Sequence, residues 1–307
     1  MDLRQLQYLV AVAEEGSVRR AARRLYMAQP PLSQALLRLE RDLGVELFTR
    51  TSKGVILTDA GRELVGRARE ILHQVEDARF AVQSTASDES TTLRIGAVAG
   101  PLSAGELTRP ILDAFRALHP EVTVKLRDTS FADQVDLIAS GVIDVALVRC
   151  PIVHDEVEVI PIAAEPRALF VRSTHELASE KVLSVDDVTG YPMLALDAPE
   201  WFSGFWQLDP ERGHSLVDAR LAPVSTVQGI QLALAASQTV VTGCATMARF
   251  APSPLIRAIE LPDASPSVIG VAYRRGETRS IVRSFLDAAA MAAAENIAVL
   301  PNATSSV

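Results

Sequence analysis

Cysteine is nearly absent. The 307 residues hold two, Cys150 and Cys244, too few and too far apart for a disulfide framework, so the chain is expected in a reducing cytoplasm. The five histidines (73, 119, 154, 175 and 214) show no metal-ligand spacing and no His-Glu-x-x-His run, so no metal or other cofactor is expected. A Gly-x-Ser-x-Gly elbow and a phosphate-cradling glycine loop are both missing, which argues against an enzyme. No stretch is long and apolar enough to cross a bilayer, and the first residues, with Asp2 and Arg4, lack the apolar core of a secretion leader. No membrane partner is expected. Aromatics make up 5% and apolar residues 48%, the composition of an ordinary α/β protein with length for two or three domains.

What is present is concentrated in residues 17–61. Ser17 suits a helix N-cap, with Ala21 and Leu25 four residues apart on one face of the helix it starts. Pro30 and Pro31 are tolerated only in a first helical turn, so the next helix starts close to Gln29. Leu32, Leu36, Leu39 and Leu43 recur at helical spacing and predict one buried stripe. The opposite face carries Gln29, Ser33, Gln34 and Arg38. Glutamine and arginine can bond base edges bidentately in a major groove, and serine can bond a base or a phosphate. A basic hairpin with Arg50 and Lys53 follows. The pattern predicts a winged helix-turn-helix over residues 1–58, built to read double-stranded DNA. Charge agrees: residues 1–58 carry +3 and the rest −11 of the net −8, a basic head on an acidic body, as phosphate contact favours.

Thr58 can cap a long helix reaching about residue 84. Its Leu64, Ala68, Ile71, Val75, Ala78 and Val82 alternate spacings of four and three, a heptad seam. Packing within its own domain and pairing between two chains both fit; the polar surroundings of the seam favour pairing. Small polar residues 85–92 read as a linker, giving a 59–92 dimerisation helix and hinge. From Leu93 strands alternate with helices: strand 93–98, helix 106–118, strand 122–127, helix 131–140 and strand 142–148, a βαβαβ order that implies a parallel sheet. Apolar segments at 167–172 and 192–196, a helix at 226–236 and a strand at 239–242 form a second set. Strand 268–273 and helix 278–294 return to the first. The result is an α/β domain over 93–300 with lobe I at about 93–162 and 268–300, and lobe II at about 163–267. Residues 297–307 read as frayed.

The whole chain resembles the LysR-type transcriptional regulators. The resemblance rests on the alanines before the turn, Gln29-Pro30-Pro31-Leu32-Ser33, Leu39-Glu40, Leu43-Gly44, Leu47-Phe48-x-Arg50 and Leu57-Thr58-x-Ala60-Gly61. It implies a winged-helix domain, a dimerising linker helix and a two-lobed effector domain of periplasmic-binding-protein type, acting as a homodimer or homotetramer with RNA polymerase as a further partner. The Ala28-to-Ser33 wording and Val148-Arg149 are similar to the aromatic-catabolism branch, which implies an aromatic or other carboxylic acid as effector. The chain departs from the family pattern at Ala28, where Ser or Thr is common, and at Gln34, where Arg or Lys is common. A third departure is 237–244, where a glycine-containing run is replaced; a non-glycine residue in a left-handed turn there costs ~1 kcal/mol.

Ligands bind α/β sheets beyond the strand C-termini. That places Gly100, Pro101 and Ser103, then Thr129 and Ser130, then Arg149 around a small-molecule effector, with Trp201 and Val227 from lobe II. The hydroxyls can equally cap helices, and Arg149 can equally pair with a neighbouring carboxylate. Trp201, Phe202, Phe205 and Trp206 sit at helical spacing, more typical of core than of an aromatic box. The rival class is a cytoplasmic solute-binding module without direct DNA function.

Overall fold

A computed structural model of the protein describes residues 1–51, 54–68, 71, 72, 75, 92–213, 215–218 and 220–305. The chain divides into two compact units, Met1–Ala86 and Ser87–Val307.

In the first unit, Asp2 starts α1 (Leu3–Glu15) with a capping box: its carboxylate accepts from Gln5 N, and the Gln5 side chain accepts from Asp2 N. Gly16, left-handed at φ 57°, ends it. Ser17 Oγ then accepts from Arg20 N and starts α2 (Val18–Arg24). Pro30 and Pro31 occupy the first turn of α3 (Gln29–Leu43), whose cap residue Ala28 makes no side-chain bond. Leu32, Leu36 and Leu39 bury against Leu6, Leu9, Val12 and Ala21. Leu43 departs from the expected stripe and is 39% exposed; the chain turns at Gly44, and Leu47 supplies the next buried contact instead. Strands β1 (Phe48–Thr51) and β2 (Gly54–Leu57) pair antiparallel as the wing. Glu40 Oε1 accepts from Leu47 N at 2.8 Å and Phe48 N at 3.2 Å, tying α3 to β1.

The next helix, α4, is helical over 59–68 and again at 71, 72 and 75, and Thr58 Oγ1 accepts from Gly61 N at its start. Part of the expected seam packs within its own unit. Ala68 is fully buried in the core of its own unit, and Leu64 and Ile71 pack half-buried against that core beside Val65 and Leu72. These five positions give the first turns of α4 an apolar face that packs on the head core. Val75 is half-buried; Ala78 and Val82 lie outside the described residues.

Lobe I of the second unit is a six-stranded sheet in the order β11-β6-β10-β5-β3-β4. β3 (Thr92–Val98) runs parallel to β4 (Thr123–Thr129) and to β5 (Val145–Arg149). β6 (Val157–Glu165), β10 (Ser267–Arg274) and β11 (Thr304–Ser305) pair antiparallel, so the sheet is mixed rather than purely parallel. α5 (Thr108–Leu118) and α12 (Ser280–Asn296) bury Ile111, Phe115, Val282 and Phe285 in one core with the sheet. α6 (Gln134–Ala139) joins β4 to β5.

β6 carries no clean apolar alternation, because Pro161 interrupts it. The ladder tolerates that proline where the register with β10 shifts between Ile269 and Gly270. Residues 304 and 305 pair with β6 instead of fraying.

Lobe II holds a three-stranded antiparallel sheet, β8-β7-β9, with β7 (Arg167–Arg172) between β8 (Val241–Cys244) and β9 (Ile256–Glu260). Met193 and Leu196, in the apolar segment 192–196, form isolated bridges. Lobe II also carries α7 (Val185–Val188), α8 (Glu200–Trp206), α9 (Asp209–Arg212), α10 (Val227–Ala236) and α11 (Ala245–Phe250). Around 237–239 no residue has positive φ. Ser237 is extended and bonds Thr239 through both hydroxyls, so the missing glycines leave no strain.

Candidate DNA-reading face and ligand cleft

On α3, Gln29, Pro30, Pro31, Gln34 and Arg38 are exposed and Ser33 is half-buried, while the leucine face is inside. The amphipathic period thus leaves four side chains able to read bases, Gln29, Ser33, Gln34 and Arg38, on the side away from the core. Ser17 is half-buried and serves α2 as its cap. Arg50 lies in β1; its side chain and all of Lys53 fall outside the described residues. α2 carries Arg19, Arg20, Arg23 and Arg24, all exposed, with Arg20 and Arg24 paired to Glu15. Tyr26, in the turn between α2 and α3, was not evident as a candidate from periodicity. It is 98% exposed with φ 52°; an aromatic within a tight helix-turn-helix junction is the signal that could have marked it.

The two lobes of the second unit enclose a cleft of about 580 Å³, open mouth included. Lobe I contributes Val98, Leu102 and Ser103 beyond β3, Phe131 and Gln134 beyond β4, and Arg149 at the end of β5. These are the three strand ends the sheet rule selects. Lobe II contributes Phe202 and Trp206 from α8, Val227 and Ile230 from α10, and Thr242, Gly243 and Cys244 from β8, with Leu196 and Met247. Phe131 reaches across: its ring centroid lies 5.6 Å from that of Phe202, and its N–H donates to Ser225 O. The Thr242 hydroxyl is spent on Trp206 O at 2.5 Å. Burial raises the Cys244 thiol above its ordinary value.

Of the residues expected at this site, Ser103, Arg149 and Val227 line the cleft. Ser103 Oγ accepts from Val98 N and donates to Val98 O, which holds the loop rather than presenting a free hydroxyl. Gly100, Pro101, Thr129, Ser130 and Trp201 do not line it. Ser130 Oγ accepts from Ala132 N and Asp133 N, a turn-capping role. Trp201 stacks edge-on against Phe202 one layer away. The aromatic helix is therefore both core and wall: Phe202 and Trp206 face the cleft. Gln134, unremarked in the sequence, is 1% exposed.

Arg149 does not offer its fork to the cleft. Its Nη1 lies 2.5 Å from Glu165 Oε1 and donates to Ser267 Oγ at 3.1 Å, and its Nη2 donates to Leu102 O at 2.9 Å. Nε is buried and has no hydrogen-bond partner among the described residues. Glu165, the last residue of β6, is itself fully engaged. It accepts from Thr246 Oγ1 at 2.6 Å and Thr246 N at 3.1 Å, and Arg249 Nη2 lies 3.4 Å away. Arg249 Nε in turn reaches Glu106 Oε1 at 2.6 Å. Burial works to raise the Glu106 carboxyl, but the Arg249 hydrogen bond and charge outweigh it and hold it below its ordinary value. Two arginines and two carboxylates thus form one neutral cluster where the lobes join. The carboxylate-pairing reading of Arg149 is the one the geometry carries.

Two family models cover the chain. One, described as a bacterial regulatory helix-turn-helix protein of the lysR family, matches residues 3–62. The other, the LysR substrate binding domain, matches residues 86–294. The chain belongs to the LysR family. Within that family it is 34% identical to the HTH-type transcriptional regulator AlsR of Bacillus subtilis (strain 168) over 201 residues, 66% of either chain. The match therefore spans just under two thirds of that relative's length. Among solved structures, full-length BenM is similar at a TM-score of 0.53 and 27% identity, covering 96% of this chain and 97% of that one. Full-length CbnR, solved in complex with its target DNA, is similar at 0.50 and 25% identity, covering 95% of this LysR-family chain and all of that one.

Proposed function

We propose that this LysR-family chain is a sequence-specific DNA-binding transcriptional regulator whose activity is set by a small molecule in the inter-lobe cleft. The observation that carries the reading is the outward face of α3. There Gln29, Gln34 and Arg38 are exposed while Leu32, Leu36 and Leu39 are buried, in a chain similar to one solved on its target DNA. α3 enters the major groove and the wing, with Arg50 and Lys53, meets phosphates or the minor groove. Two or four copies pair through residues 58–84 and through the α/β units, where Leu118 of α5 and Leu126 of the edge strand β4 are 61% and 63% exposed. RNA polymerase is the downstream partner, and the cytoplasm is where such a protein meets DNA. An occupant of the cleft shifts the equilibrium only by its different affinity for two lobe arrangements.

A gel-shift titration with the DNA upstream of the chain's own gene tests this. The expected outcome is a discrete complex whose affinity falls steeply with salt, and whose mobility or affinity changes when a small-molecule cell extract is added. No complex at low salt points instead to a solute-binding module. A complex indifferent to every extract removes the effector from the account.

A further inference from the structure

We infer that the cleft takes an uncharged ligand with a flat apolar body and one amide-like polar group that pairs with Gln134, and that it discriminates against the carboxylate of the same shape. This rests on reading the cleft as an effector site. Among the residues lining it, Arg149 is the sole bearer of charge, and that charge is matched by Glu165 at 2.5 Å. Glu165 cannot swing aside cheaply, because Thr246 holds both of its oxygens and Arg249 lies beside it. A ligand carboxylate would lose its hydration in an apolar enclosure, meet an arginine already neutralised, and sit near a second carboxylate.

Gln134 supplies the complementary chemistry. It lines the cleft at 1% exposure and is the one carboxamide among the lining residues. That carboxamide offers an occupant two donors and an acceptor. An occupant carrying both a donor and an acceptor satisfies it; a carboxylate can only accept. The rest of the wall favours an aromatic body. Phe131 and Phe202 face each other across the lobes, and Trp206 continues the same surface with centroids 6.0 Å from Phe202. Thr242 and Ser103 already spend their hydroxyls on backbone groups, so they add little polar selection.

Isothermal titration of the full-length protein with two matched pairs, benzamide against benzoate and cinnamamide against cinnamate, tests this at neutral pH. At least one amide is expected to bind at least tenfold more tightly than its acid. Gln134→Leu should remove that advantage while the thermal unfolding transition stays in place; Gln134→Asn, which keeps the group, should retain part of it. An acid that binds as tightly as its amide, or a preference that survives Gln134→Leu, overturns the inference, as does failure of all four probes to bind. None of these results touches the effector reading itself, which stands or falls on whether cell extract alters the DNA complex.

Discussion

Gly54 lies so close to Gly16 that a β-carbon at position 54 would sit 2.3 Å from the Gly16 carbonyl oxygen. Gly54 also has φ +143°, and the neighbouring Val55 N–H donates to that same oxygen at 3.1 Å. The wing is thereby fastened to the turn that ends α1 and precedes α2. Gly54→Ala combines a backbone clash with a disfavoured φ, and should cost about 1–3 kcal/mol of first-unit stability. Thermal unfolding should show it as a lowered transition, with weaker DNA binding in parallel. A variant as stable as the parent means that the wing is not seated this way.

Glu165→Ala should be more damaging than its position at a strand end suggests. It strands the Arg149 guanidinium in a buried site and removes the acceptor for Thr246 N and Oγ1. Breaking one side of a buried pair costs about 3–5 kcal/mol. Denaturant unfolding of the full chain should show a midpoint loss confined to the α/β unit, with the head's transition unmoved.

Much of this architecture is legible in residue order, and the exceptions have physical causes. The caps at Ser17 and Thr58, the prolines at the start of α3 and the glycine after it each act within a few residues, so they can be read locally. β6 could not be, because its proline is admitted only by a register shift against β10, roughly a hundred residues away in sequence. The cavity lies at the ends of β3, β4 and β5, where the sheet rule points, but spacing alone does not resolve which side chains line it. Sequence spacing places Thr129 and Ser130 beside it but cannot tell that Ser130 turns inward to cap Asp133. Nor could it choose a partner for Arg149, since Glu165 arrives from another strand. The sequence does not single out Gln134, because a glutamine at a helix start ordinarily faces water.

Acid should weaken the α/β unit in a defined window. Burial disfavours the Glu277 anion, but hydrogen bonds from Arg279 outweigh it and pull the carboxyl from 4.5 down to about 2. A carboxyl depressed in the folded state stabilises above its unfolded value, and that contribution is lost as pH falls from 4.5 to about 2. Glu277→Gln should therefore be about 1–3 kcal/mol less stable than the parent at pH 7. The gap should close across that acid range when unfolding is followed by fluorescence. A gap that persists unchanged at pH 2 contradicts the ion-pair assignment.

Val75→Asp probes the part of α4 beyond the turns that pack on their own unit. Val75 is half-buried and is absent from the head's apolar cluster, unlike Ile71. A charge there should leave the head folded but dissociate the oligomer, read as a drop in mass by light scattering together with reduced DNA affinity. Unchanged mass and unchanged affinity would make α4 a purely intramolecular helix along its described length.

The central claim is that the outward face of α3 reads a DNA sequence. The most direct measurement is to retain sheared genomic DNA on the purified protein at physiological salt and sequence what stays bound. Recurrence of one near-palindromic sequence is expected, with two half-sites about one helical turn apart or a multiple of it. The double variant Gln29→Ala with Arg38→Ala should lose that enrichment, each removed contact weakening the site by ~1–3 kcal/mol, while residual binding to bulk DNA persists. Retention without any recurring sequence, or the same sequence retained equally by the double variant, would contradict the account.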